Sequence, residues 1–136
     1  MPGSGSDPFT YALLRIVPDL GRGECFNAGV VLFCRQRGFL ALEWRLDRGR
    51  LAALAPGGPP SLAESLEAEL DLRARVAAGD PGAGPLASLP RSERFGWLVA
   101  PSSTMIQPSE VHTGMSSDPR RSLTELAGHL VDPPDG

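Results

Sequence analysis

Apolar and polar positions alternate through residues 9–18, FTYALLRIVP. A period of two predicts a β-strand. Ala12, Leu14 and Ile16 fall on one face, and Tyr11, Leu13, Arg15 and Val17 on the other. Pro18 ends the strand, because it has no N–H to give to a ladder. PDLGRGE then makes a turn. ECFNAGVVLFCR is apolar on both faces, with Val30, Val31, Leu32 and Phe33 in sequence. That pattern predicts a central strand covered on both sides. Gly29 inside it marks a place where another group comes close. After the turn QRG, residues 39–47 (FLALEWRLD) predict a third strand with Leu40, Leu42, Trp44 and Leu46 on one face. Three strands joined by short loops predict an antiparallel meander.

The period then changes. DRGRLAAL predicts a short helix capped by Asp47. Residues 61–79, SLAESLEAELDLRARVAAG, carry the clearest helical signal. Ser61 and Glu64 have capping-box spacing, Leu62, Leu66, Leu70 and Ala74 share a face, and Gly79 stands where a C-cap belongs. RSERFGWLVA predicts another helix, capped by Ser92, with Phe95, Leu98 and Val99 inward. Residues 104–107 predict a strand stopped by Pro108, and HTG (112–114) a turn. Asp118 as N-cap and Pro119 as first helical residue open a final helix with Leu123, Leu126, Ala127 and Leu130 as its buried stripe. The expected fold is α+β: an antiparallel sheet of three or four strands, begun by the N-terminal meander, with about three helices packed against it. One domain is expected over residues 9–131, between disordered tails at 1–8 and 132–136.

With 136 residues the chain suits a single modest core. Its formal net charge of −3 argues against a whole-domain grip on nucleic acid. All 13 basic residues are arginine, a bias that fits either genome composition or bidentate anion binding. MPGSGSDP lacks the basic and apolar regions of a secretory signal, and no apolar run approaches the ~20 residues of a membrane span. A cytoplasmic location is expected. Cys25 and Cys34, if on one strand, stand roughly 30 Å apart and point to opposite faces. They are expected to be buried free thiols.

The reactive motifs are incomplete. Glu110 and His112 share a strand parity, but a zinc site needs about three protein ligands, and the other histidine, His129, lies on the last helix. No metal or cofactor is expected. Ser102, Ser103, Thr104 and Ser109 lie near His112 in sequence without a glycine elbow or an orienting third group. GRGECFNAG matches neither phosphate-binding pattern. Two polar groupings remain. One is Arg15 with Glu24 and Asn27, either a structural ion pair with a turn asparagine or part of a site. The other is Ser103, Thr104, Gln107, His112 and Thr113, either loop side chains satisfying backbone groups or a recognition surface.

YALLRIVPDLGRGECFNAGVVLFC, SERFGWLVAPSSTMIQPSEVHTG and the leucine-bearing last helix resemble the bacterial domain-of-unknown-function family numbered 3037. The likeness runs from about Tyr11 to Leu130. It implies a small bacterial cytoplasmic protein without an established activity, encoded beside HipA-like kinase genes, with a HipA-like kinase protein as partner or substrate. The family's recurrent polar positions would fall on Arg15, Glu24, Asn27, Arg94, Ser103, Thr104, Gln107, His112, Thr113 and Gly114. The chain departs from the pattern at Cys25, where an aromatic residue is expected, and at Ala28, where valine is expected.

Two functions follow as expectations. The first is a non-catalytic interaction or accessory module. The second is a small enzyme or anion-ligand-binding protein with a polar cleft built from Arg15, Glu24, Asn27, Gln107 and His112. In the enzyme, Glu24 or His112 acts as general base and Arg15 or Arg94 holds an anion. Convergence of the polar groupings in one cleft favours the second.

Overall fold

The doubly apolar strand lies inside a sheet with helices on both faces. A computed structural model describes residues 5–19, 21–102 and 104–132. Strands β1 (Asp7–Ile16), β2 (Phe26–Cys34) and β3 (Phe39–Trp44) form the antiparallel meander. Strands β4 (Ile106–Pro108) and β5 (His112–Ser116) both pair antiparallel with the other side of β1, one after the other. The order across the sheet is β3-β2-β1, then β4 with β5 along the outer edge. Strand β1 starts at Asp7, inside the stretch expected to be a tail. Residues 1–4 and 133–136 of the two expected tails lie outside the described residues.

Four α-helices follow the predicted pattern: α1 (Arg48–Leu54), α2 (Leu62–Ala78), α3 (Arg91–Leu98) and α4 (Pro119–Leu130). Two short 3-10 turns, Pro81–Ala83 and Pro85–Ser88, join α2 to α3. Asp47 caps α1 by accepting from the Arg50 N–H, and Asp118 caps α4 by accepting from that of Arg121. Gly79 ends α2 at φ 75°, a left-handed conformation in which only glycine avoids a Cβ penalty. Two caps differ from expectation. Ser61 is the N-cap of α2 but its hydroxyl makes no cap bond. Pro90, not Ser92, is the N-cap of α3, so Ser92 lies within the helix. Pro90, with φ fixed near −55°, starts the helix two residues earlier than a cap at Ser92 would.

Strand alternation sorts the core into two layers. Ala12, Leu14, Ile16, Val31, Leu40 and Leu42 pack under α1, α2 and α3 with Leu51, Leu66, Leu70, Phe95 and Leu98. Phe9, Leu13, Val30, Leu32 and Cys34 pack under α4 with Leu123. Leu126, Ala127 and Leu130 are half-buried on that side. Burying both faces of β2 is what its unbroken apolar run demands. Cys34 is buried, but Cys25 is exposed just before β2 begins, which corrects the expectation of two buried thiols. Gly29 is buried, and a Cβ there would lie 3.2 Å from the Glu43 carbonyl oxygen of β3.

Candidate functional site

Arg15 holds the central position in β1. It is in register with Asn27 of β2 on one side and with Gln107 of β4 on the other. Directly opposed residues of an antiparallel pair share a face. Leu14 and Ile16 point into the α2–α3 layer, so Arg15 points to the α4 side. Asn27 confirms this direction, because its Nδ2 donates to the Leu130 carbonyl at the end of α4, at 3.0 Å. Ile106 is buried in the α2–α3 layer, so its neighbour Gln107 also faces the α4 side. Arg15 makes no ion pair or side-chain hydrogen bond among the described residues. One row of the sheet thus carries a guanidinium flanked by two amides.

His112 lies on the same face but in a different row. It is in register with Tyr11, and the two rings meet at a tilt with centroids 5.3 Å apart. Tyr11 and Arg15 are four residues apart on β1, roughly 13 Å. Glu24 is exposed on the turn before β2 and pairs with Arg22 at 2.9 Å. No ion pair joins it to Arg15 among the described residues, so of the two readings of that grouping the structural ion pair does not form.

Arg94 lies in the other layer. From α3 it donates to the Leu89 carbonyl at 2.6 Å and to that of Ala77, at the C-terminal end of α2, at 3.4 Å. Burial, then the neighbouring Arg91 charge, lowers its pKa. Ser103 lies outside the described residues. Thr104 is exposed at the approach to β4, where its hydroxyl donates to the Ile106 carbonyl at 3.0 Å. Gln107 Nε2 donates to the Thr104 carbonyl at 3.0 Å. These two residues therefore do satisfy nearby backbone groups. Thr113 is exposed in mid-β5, opposite Thr10. The HTG segment is a strand, not a turn, because β1 supplies its ladder partners.

Ser109 is a structural residue of this edge and not a reactive hydroxyl beside His112. Leu14 pairs with Pro108 and Tyr11 with His112, so Ala12 and Leu13 face three residues, Ser109, Glu110 and Val111. The extra residue makes a bulge. Ser109 is buried and holds the bulge, with its N–H donating to the Leu13 carbonyl and its Oγ accepting from the Leu13 N–H. A hydroxyl replaces the ladder carbonyl that the bulge displaces. A serine next to a proline in an otherwise polar stretch carries no sequence signal for this.

A family model covers residues 11–131, nearly the whole described domain. The chain belongs to the family described as "Protein of unknown function (DUF3037)". No curated protein and no solved structure matches it. Membership agrees with the resemblance seen in the sequence and assigns no chemistry. Among the described residues there is no group of three or more His, Cys, Asp or Glu side chains set to hold a metal ion. No helix among them is long and apolar enough to cross a membrane.

Beside β5 a groove of about 410 Å³ runs between the sheet and α4, lined by Phe9, Tyr11, Leu126, His129 and Leu130 among others. Its floor is apolar. Its α4 wall carries Glu125 and His129.

Proposed function

We propose that this domain is a non-catalytic interaction module that takes an extended segment of a partner protein along its β4–β5 edge. The observation that carries the reading is the edge itself. β5 pairs with β1 on one side and with no strand on its other side among the described residues. Open edges are commonly blunted by charge or proline. His112–Ser116 has neither. Val111 and Met115 add exposed apolar surface there, at 44% and 63%. A strand added to β5 would gain main-chain hydrogen bonds and could place alternate side chains in the neighbouring groove. His112 and Thr113 offer donors and acceptors on this edge, and Gln107 extends them along β4.

The family resemblance nominates a HipA-like kinase protein as the partner and a bacterial cytoplasm as the setting. Co-expression with a HipA-like kinase encoded nearby tests the reading. A complex is expected, weakened both by alanine at Gln107, His112 and Thr113 together and by Val111→Lys with Met115→Lys. A complex indifferent to both variants places the interface elsewhere.

One observation favours a second reading, a binding protein for a small anionic ligand. Arg15 stands between two amides without a counter-charge among the described residues. Glu24 and His112 lie outside that row, which leaves the row without a general base. Arg15→Gln abolishing binding of a carboxylate or phosphate, measured calorimetrically, supports this reading; unchanged binding removes it.

A further inference from the structure

The chain's arginines are mostly held by carboxylates. Five of the 13 form no ion pair among the described residues, and four of those five, Arg35, Arg73, Arg91 and Arg94, gather about α3. Arg35 lies over the Phe33 ring, 5.5 Å from its centroid, and that ring packs on Phe95 of α3. Arg91 reaches the β2–β3 turn that Arg35 begins, its Nη1 3.7 Å from the site of a Cβ at Gly38. Arg94 is close enough to Arg91 to feel its charge. One turn back along α2 from Ala77, Arg73 lies over the Trp97 ring at 5.4 Å. The Nε atoms of Arg73 and Arg94 are buried without a hydrogen-bond partner. Trp97 itself is 38% exposed.

Gathering like charges costs free energy unless something opposes them. The carboxylates beside this group include Glu69 on α2, whose charge acts on Arg73, and Glu93 on α3. Neither forms an ion pair among the described residues. Arginine and tryptophan are also the side chains on which interface energy concentrates.

We propose that the α3 face docks an acidic segment of a partner protein, with its carboxylates on Arg35 and Arg91, the charges of Arg73 and Arg94 adding to the field, and an apolar side chain against Trp97. The planar fork of guanidinium matches a carboxylate bidentately. A nucleic acid fits less well. Its phosphate run needs a continuous basic strip, whereas Glu69 and Glu93 interrupt this one and the chain carries a net −3. The surface is separate from the β4–β5 edge, and the proposal does not depend on that edge.

The test is fluorescence anisotropy with the full chain and a short labelled peptide of glutamates flanking a leucine. Binding is expected, and it should weaken as salt rises. Arg35→Gln with Arg91→Gln should lower affinity by about tenfold or more while the melting curve stays unchanged. Trp97→Ala should lower it as well. Val111→Lys with Met115→Lys should leave it unaltered. No binding, binding indifferent to the arginine pair, loss in the edge variant, or tighter binding of a thymidine oligonucleotide of equal length would each overturn the proposal.

Discussion

Leu13 and Ser109 exchange two hydrogen bonds across 96 positions of sequence. The Ser109 N–H donates to the Leu13 carbonyl at 2.8 Å, and the Leu13 N–H donates to Ser109 Oγ at 2.9 Å. The second bond is buried, so Ser109→Ala leaves a main-chain donor unpaired. The expected loss is about 1–3 kcal/mol in urea unfolding, with the slope unchanged. Faster amide exchange at Leu13 would accompany it. Wild-type stability would mean that water or another acceptor replaces the hydroxyl.

Phe9 and Gly114 face each other across β1 and β5, and a Cβ on Gly114 would lie 2.5 Å from Phe9 Cζ. Gly114→Ala should therefore overpack and cost about 1–3 kcal/mol. In a Phe9→Ala background the same substitution should cost much less, since the contact is gone. Equal costs in both backgrounds would remove the close-approach explanation.

Gly29→Val meets backbone instead of a movable ring, because the obstacle is the Glu43 carbonyl oxygen at 3.2 Å. A loss of roughly 1–3 kcal/mol is expected. Phe95→Ala empties the centre of the α2–α3 layer and should cost about 3–5 kcal/mol. Denaturant melts check both, and a change under about 1 kcal/mol at Phe95 would contradict its place in the core.

Asp80 is held below its ordinary pKa by the hydrogen bond from Arg75, assisted by one from the Gly82 N–H. A carboxylate with a depressed folded-state pKa stabilises the fold above its unfolded value. That contribution is lost as pH falls through the folded value. Arg75→Gln should thus flatten the stability profile below about pH 4 and leave its shape near neutrality unchanged. An unchanged acid limb would mean that the pair dissolves in solution.

The elements written in local pattern were legible. The two-faced apolar run of β2, the Asp118–Pro119 start of α4 and the glycine stop of α2 each express a local physical preference. What escaped depends on distant partners. His112, Thr113 and Gly114 look like a turn until β1, about a hundred residues earlier, supplies their ladder. Glu24 took a neighbour two positions away, Arg22, over the cross-strand Arg15. Of the candidate site, the Arg15–Asn27 adjacency followed from the hairpin. The arrival of Gln107 beside Arg15 needed the β1–β4 pairing, and the bulge at Ser109 sets its register against His112.

The proposed function rests on the β4–β5 edge receiving a partner strand. Hydrogen–deuterium exchange of the chain, alone and co-purified with a HipA-like kinase protein, tests it most directly. The account predicts that the partner slows exchange across His112–Ser116, and that Val111→Lys with Met115→Lys abolishes the slowing. A complex that protects other segments while His112–Ser116 exchanges as in the free chain would contradict it.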